Sequence, residues 1–520
     1  MKAFKLSRIG LSAVCAAASL YAVDASNGKA VMDVKCSACH TGTTDTGLSR
    51  ISDQRKTPEG WFMTLERMKR HGLVLDDAQQ RDVLKYLSDT YGLAPEEIKP
   101  YRYVLDQTPN VVESAKRPQL DEMCTRCHSE ARIGLQRRTT EEWTRLVHFH
   151  VGQIPSLELQ YLSRDRDWFG IATTKTAPFL GKTFSKESAS WTKWKQTAPT
   201  VAVEGTWNAL GHTPGKGDFT ATVSLSKNSD ESYKTVMEGS YLSGESFQAE
   251  GSAVLYAHAE YRATLEGSEG KIRQILHFDP STGDMQGRMF PSEHSEEGST
   301  LSLYRPNGPA SIRGIYPKTL RMGESADVRI VGSRLEGKVV LGDALRLNRI
   351  VSQDANSIVL NVTALKKPFA VNETVRIGKL KSSVALFESV AKIEVVPSYA
   401  VARVGGIHTP KQNALFEAIG YAKGSKGMIP LGSMNGVKWS VENYDEEAAK
   451  EKDAKYAGTI DSKTGFFTPA QEGMNPERKF STNNAGKLAV IATLPSGKKS
   501  LKAKSELIVT VQKWVNPPIQ

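Results

Sequence analysis

The sequence predicts a multidomain chain that is α first and all-β afterwards: a helical N-terminal domain, an antiparallel β-barrel, and two immunoglobulin-like β-sandwiches. Three observations predict this. Apolar residues recur at helical spacing up to about residue 168, the period falls to two beyond about residue 170, and Gly, Ser and Asp then punctuate the chain at short intervals. Composition agrees: 520 residues, 39% apolar and 24% charged, with 42 Gly and 23 Pro, describe a globular chain of several domains and exclude a disordered, collagenous or coiled-coil one.

Residues 1–25 read as an export leader. Lys2, Lys5 and Arg8 precede an apolar run from Ile9 to Leu20, and small residues follow from Ala22 to Ser26. The run is too short to span a bilayer. Cleavage after Ala25 or after Ala22 fits, and either removes Cys15. A lipoprotein signal ending at Cys15 is disfavoured by the bulky Val14 before it. The expected location is the periplasm, with no membrane attachment.

Removing Cys15 leaves four cysteines, all in two copies of one motif: Cys36-Ser37-Ala38-Cys39-His40 and Cys124-Thr125-Arg126-Cys127-His128. Two thiols one turn apart can form thioethers to the two vinyl groups of a haem, and the adjacent histidine is then held beneath the iron. A zinc site would want further Cys or His nearby, and a redox dithiol does not need the following His. Residues 26–168 are therefore expected to be a dihaem cytochrome c domain, with Cys36, Cys39, Cys124 and Cys127 covalently attached to two haem c groups and His40 and His128 as iron ligands.

The helix after each motif offers a sixth ligand. In the first, Pro58 suits the opening turn, and Trp61, Leu65 and Met68 share one face. In the second, Thr139 and Glu142 form a capping-box pair, and Trp143, Leu146, Val147 and His150 share a face. Met68 and His150 each stand seven residues after the tryptophan, so both point where the apolar face meets a haem. His71 and His148 are the reserves. A thioether favours reduced iron relative to a second imidazole, so electrons are expected to run from the second centre to the first. Beyond these helices, the pattern from Asp76 to Tyr91 predicts another, ending at Gly92.

From residue 169 to 303, strands are expected along Phe219, Ala221, Val223 and Leu225, from Ser252 to Leu265 and from Ile272 to Phe278, turning at Glu266 to Gly270; they predict the barrel. Residues 304–396 resemble IPT/TIG domains, and 397–520 bacterial immunoglobulin-like domains through the Thr459 to Thr468 stretch. The charged run Glu442 to Lys455 reads as a solvated loop or short helix. The histidines of this region, His212, His258, His277, His294 and His408, are scattered, and no nucleotide-binding glycine motif occurs.

The two CxxCH motifs, the Arg67-Met68-Lys69-Arg70-His71-Gly72-Leu73 stretch with Tyr86-Leu87 to Tyr91-Gly92, and the order of domains together resemble the alpha subunit of quinohemoprotein amine dehydrogenase. That resemblance implies a heterotrimer with a β-propeller subunit and a small subunit carrying cysteine tryptophylquinone. It further implies that the quinone oxidises a primary amine to aldehyde and ammonia, and that this chain's haems pass the electrons to a cytochrome c or cupredoxin. Every cysteine beyond the leader is already committed to a CxxCH motif, so the quinone must reside on another polypeptide. Competing readings are a dihaem enzyme acting alone, peroxidase-like, and a haem-bearing periplasmic scaffold.

The net charge of +11 raises the question of an anionic partner. Residues 26–168 hold 21 basic and 21 acidic side chains, so the excess lies mainly in the β region and predicts no nucleic-acid binding at the haem domain.

Overall fold

The computed structural model describes residues 23–114, 117–198, 202–228, 231–406, 410–497 and 499–511. The expected leader up to Ala22, with Cys15, lies outside the described residues, as does His408. No helix among the described residues is long and apolar enough to cross a membrane.

The helical part is two copies of one frame. The first comprises α1 (Ala25–Lys35), strand β1 (Gln54–Lys56), α2 (Pro58–Arg70) and α3 (Asp77–Thr90). The second comprises the helix Pro118–Met123, strand β2 (Gln136–Arg138), the helix Thr140–Gln153 and the helix Ala177–Thr183. The repeat is visible in the residues: Gln54-Arg55-Lys56-Thr57-Pro58-Glu59-Gly60-Trp61 matches Gln136-Arg137-Arg138-Thr139-Thr140-Glu141-Glu142-Trp143. It is also visible in the bonds. Lys56 N and Trp61 Nε1 both donate to the Tyr91 carbonyl, each at 2.9 Å. Arg138 N and Trp143 Nε1 both donate to that of Phe184, at 3.2 and 3.3 Å. Strands β1 and β2 pair antiparallel with Arg55 opposite its own equivalent, Arg137, so a local two-fold relates the halves.

The helical part runs to Thr197, beyond the boundary expected at residue 168. After the short helix Trp168–Ile171 comes a π-helical turn, Ala172–Thr176, which inserts one residue and throws the apolar period out of step. Its buried residues, Trp168, Ala172, Ala177, Leu180 and Phe184, complete the core of the second half. A last helix, Ala189–Thr197, lays Trp191 and Trp194 against Ala94 and Ala259.

A buried acid, Glu97, gathers arginines from both halves. Glu97 takes Arg55 in two bonds, 2.8 and 2.9 Å, and Arg137 in one of 3.1 Å, besides the Ala94 N–H and the Ser188 hydroxyl. Burial alone would raise the Glu97 carboxyl, but the two guanidiniums outweigh it and hold it below the ordinary carboxylate range.

Eight strands form a closed barrel: β3 (Gly205–Thr213), β4 (Gly217–Lys227), β5 (Ser232–Tyr241), β6 (Ser246–Tyr256), β7 (Glu260–Gly267), β8 (Gly270–Asp279), β9 (Asp284–Pro291) and β10 (Ser299–Tyr304). Each pairs antiparallel with the next, and β10 returns to β3 with Thr300 opposite His212. In β4, Phe219, Val223 and Leu225 point inward with Trp207, Met237, Tyr261 and Leu265, as the alternation predicts. The run from Ser252 to Leu265 is two strands, broken where Ala257 and His258 adopt φ of 48° and 61°.

This turn and β7 seat the helical part. Ala257 N donates to Asp89 at 2.7 Å, and Trp194 Nε1 donates to the Ala257 carbonyl at 3.2 Å. Arg102 forks onto the buried Glu260 at 2.7 and 2.6 Å, and Arg262 bonds Glu59 at 2.7 Å.

Beyond the barrel, strands at Ser311–Tyr316, Ser325–Ser333, Ser357–Ala364 and Leu345–Gln353 form one sheet. Strands at Thr319–Arg321, Leu380–Phe387, Val371–Ile377 and Val339–Leu341 form a second, and the two share one core. The last region joins a four-stranded and two three-stranded sheets, with the charged run forming the short helices Glu446–Lys450 and Asp453–Tyr456. It clasps the barrel through His212, whose ring bonds Asp218 at 2.8 Å and Glu417 at 2.9 Å.

Val23 is buried, and Asp24 caps α1 by accepting from Ser26 N and Asn27 N, while its own N–H donates to Asp82 at 2.8 Å. Cleavage after Ala25 would delete this cap; cleavage after Ala22 would keep it. If a leader is removed, N-terminal sequencing of the product is expected to begin at Val23, and a start at Ser26 would show that the cap is dispensable. Glu97→Ala leaves two buried guanidiniums unpaired and is expected to cost about 3–5 kcal/mol in denaturant unfolding. The contribution of Glu97 is full above the ordinary carboxylate range and is lost as pH falls through its lower folded value.

Candidate metal centres

Each CxxCH motif leaves the end of a helix in the same way. Cys36 terminates α1, its N–H donating to Met32 O at 2.9 Å, and Cys124 terminates the Pro118–Met123 helix, donating to Leu120 O at 2.7 Å. The next turn repeats too: Cys39 N to Cys36 O and Cys127 N to Cys124 O are both 3.1 Å. Burial pushes the Cys36 thiol up to about 11 and that of Cys124 up to about 12. Among the described residues, neither motif gathers three metal-capable atoms; the one set that does is His294, Glu296 and Glu297. That set is a hydrogen-bonded clasp, in which Glu296 and Glu297 accept from Asn413 N and Nδ2 at 2.9 and 2.6 Å.

His40, His128 and His150 share one feature. Their Nδ1–H groups donate to backbone carbonyls, of Ser49 at 2.8 Å, Ser129 at 3.0 Å and Leu146 at 2.7 Å. A carbonyl can only accept, so the tautomer is fixed and Nε2 carries the free lone pair, the arrangement a metal-binding imidazole needs. Burial and Arg132 lower the His128 pKa, and His150 stands near enough to contribute. His150 is half-buried with its ring 6.1 Å from Trp168. His148, the reserve, is exposed and edge-on to Phe169.

In the first half, Thr57 caps α2 and Pro58 opens it; Trp61 and Leu65 are buried, and Met68 follows half-buried. His71 lies past the end of α2 and is exposed. The capping pair expected at Thr139 and Glu142 forms only halfway. Thr139 accepts from Glu142 N at 3.2 Å, but the Glu142 carboxylate turns to Arg145 at 2.6 Å and Arg50 at 3.3 Å. What the spacing argument missed is the strand before each sixth-ligand helix; the Gln-Arg-Lys-Thr and Gln-Arg-Arg-Thr repeat was the available signal.

A duplicated helical frame with two CxxCH turns, seated on a β platform, defines a haem-binding protein. Four family models match: the haem-binding domain of the quinohemoprotein amine dehydrogenase alpha subunit over residues 26–191, domain II over 200–306, domain III over 310–388 and domain IV over 393–519. The chain belongs to the family of the alpha subunit of quinohemoprotein amine dehydrogenase, a subunit of an oxidoreductase complex. No curated protein matches it. Solved structures similar to parts of it include a redesigned β-barrel, at 14% identity over 20% of this chain and 90% of that one, TM-score 0.18. Another is the cadherin-like domains 1 to 4 of zebrafish RET, at 11% identity over 46% and 62%, TM-score 0.18. A third is SGBP-B of the Bacteroides ovatus mixed-linkage glucan utilization locus, at 10% identity over 59% and 61%, TM-score 0.20. At these scores they carry no argument.

Proposed function

We propose that this chain is the dihaem electron-transfer subunit of a periplasmic amine dehydrogenase. It takes electrons from a cysteine tryptophylquinone on a small partner subunit, in a complex that also holds a β-propeller subunit, and delivers them to a cytochrome c or cupredoxin. The observation that carries this reading is the duplicated frame: two CxxCH turns, each followed by a helix that brings Met68 or His150 to the equivalent position.

Each bound haem c supplies a one-electron couple. Cys36 and Cys39 would hold the first and Cys124 and Cys127 the second; His40 and His128 would offer Nε2 to the iron, and Met68 and His150 would supply the further ligands. With its ligands complete, each iron would suit electron transfer rather than peroxide chemistry, which needs an open position. A thioether from Met68 would favour reduced iron and give the first centre the higher potential. Helices up to residue 198 form the dihaem domain, residues 205–304 the barrel, and the two regions beyond are read as immunoglobulin-like sandwiches.

Met68→Ala is expected to abolish the thioether-to-iron band at the red edge of the visible spectrum and to lower the first midpoint potential; a surviving band rejects Met68. In the purified native complex, a primary amine should reduce the haems, and the unfolded chain should show no free thiol. A chain isolated alone, with four reactive thiols and no amine-dependent reduction, would refute the proposal.

A further inference from the structure

The β1–β2 ribbon has two unlike faces. Alternate residues of a strand point to opposite sides. On one side Arg55 and Arg137 share Glu97. On the other side lie Lys56 and Arg138, each over the tryptophan of its own half: Lys56 Nζ is 4.9 Å from the centre of Trp61, and the Arg138 guanidinium carbon 5.7 Å from that of Trp143. Arg67 joins them, its guanidinium 4.6 Å from the ring of Phe149. Residues 67 and 149 occupy equivalent places, each one step before Met68 or His150, so their contact straddles the local two-fold.

This second side carries one acid, the buried Glu142, for its three cations. Lys56 is buried, and its ammonium donates to the Thr64 hydroxyl at 2.7 Å; among the described ion pairs neither it nor Arg67 has a carboxylate partner. Arg138 is buried with its Nε on Gln136 Oε1 at 2.9 Å. Its nearest carboxylate oxygen is Glu142 Oε2 at 3.7 Å, while Glu142 Oε1 holds Arg145 and Arg50. Burial, then Arg138 and Arg67, pushes the Lys56 ammonium well below the ordinary lysine range. Three cations thus share one acid that Arg145 and Arg50 also use, and buried cations short of counter-charge are costly, so the excess points to an anion brought from outside. Haem brings two carboxylates, on the edge away from the vinyl groups that the CxxCH cysteines hold.

Resting on the haem reading above, we propose that Lys56, Arg67 and Arg138 receive the haem propionates: Lys56 those of the first centre, Arg138 those of the second, with Arg67 between them. Deleting one of these cations leaves a propionate uncompensated. The oxidised iron is then favoured, and the propionate begins to titrate near neutrality.

The test is a potentiometric titration of the full-length, haem-loaded chain, followed by visible spectra at several pH values across the neutral range. Lys56→Met should shift the first centre's oxidation equilibrium about tenfold toward the oxidised form, about 59 mV for one electron, and make its midpoint pH-dependent. Arg138→Met should do the same to the second centre. Arg67→Met, at a half-exposed position that does not threaten the fold, should lower both. Lys56→Arg should restore wild-type behaviour, and loss of haem from Lys56→Met that Lys56→Arg repairs also supports the proposal. Variants that keep two haems with wild-type midpoints and pH profiles overturn it while leaving the haem reading intact. A wild-type chain without haem overturns both.

Discussion

Glu97 is the acid around which the helical part is assembled. It is buried, it takes the guanidinium of Arg55 as a fork and that of Arg137 singly, and it also accepts from Ala94 N and the Ser188 hydroxyl. Those contacts come from both halves and from the segments that follow each, so this carboxylate ties together four stretches of the chain. The ion cluster is a poor source of net stability, since desolvating three charges offsets most of their attraction. Its role is registry: it pairs Arg55 with Arg137 and leaves Lys56 and Arg138 facing the other way.

Much of this arrangement was legible in the residues. The CxxCH motifs, the seven-residue step from Trp61 to Met68 and from Trp143 to His150, and the alternation through Phe219 and Val223 led to the correct elements, because each depends on local spacing alone. The segment 168–197 was not legible, since one inserted residue in a π-turn breaks the period that identifies a helix. Nor was the bond from Asp24 N to Asp82, which joins residues distant in sequence. The half-formed cap at Thr139 failed as a reading for the same reason: Arg50, from the other half, claims the Glu142 carboxylate.

Of the candidate ligands, the structure separates His150 from His148 most clearly. Both lie on one helix, yet only His150 has its Nδ1–H spent on a carbonyl and its ring sheltered by Trp168. The backbone frames around Met68 and His150 match closely, so on the proposed reading the two centres would differ chiefly by one side chain in each.

The closure of the barrel bears on the order in which the molecule is completed. Its last ladder joins β10 to β3, with Thr300 opposite His212, so no part of the cylinder is finished until the chain has been made nearly to residue 304. Synthesis delivers the helical halves first. The anchors that receive them, Ala257 and Glu260, come to rest only with the finished cylinder. The seat that takes Asp89, Trp194 and Arg102 is therefore complete only after the helical halves themselves have been made, and docking onto it follows closure of the cylinder.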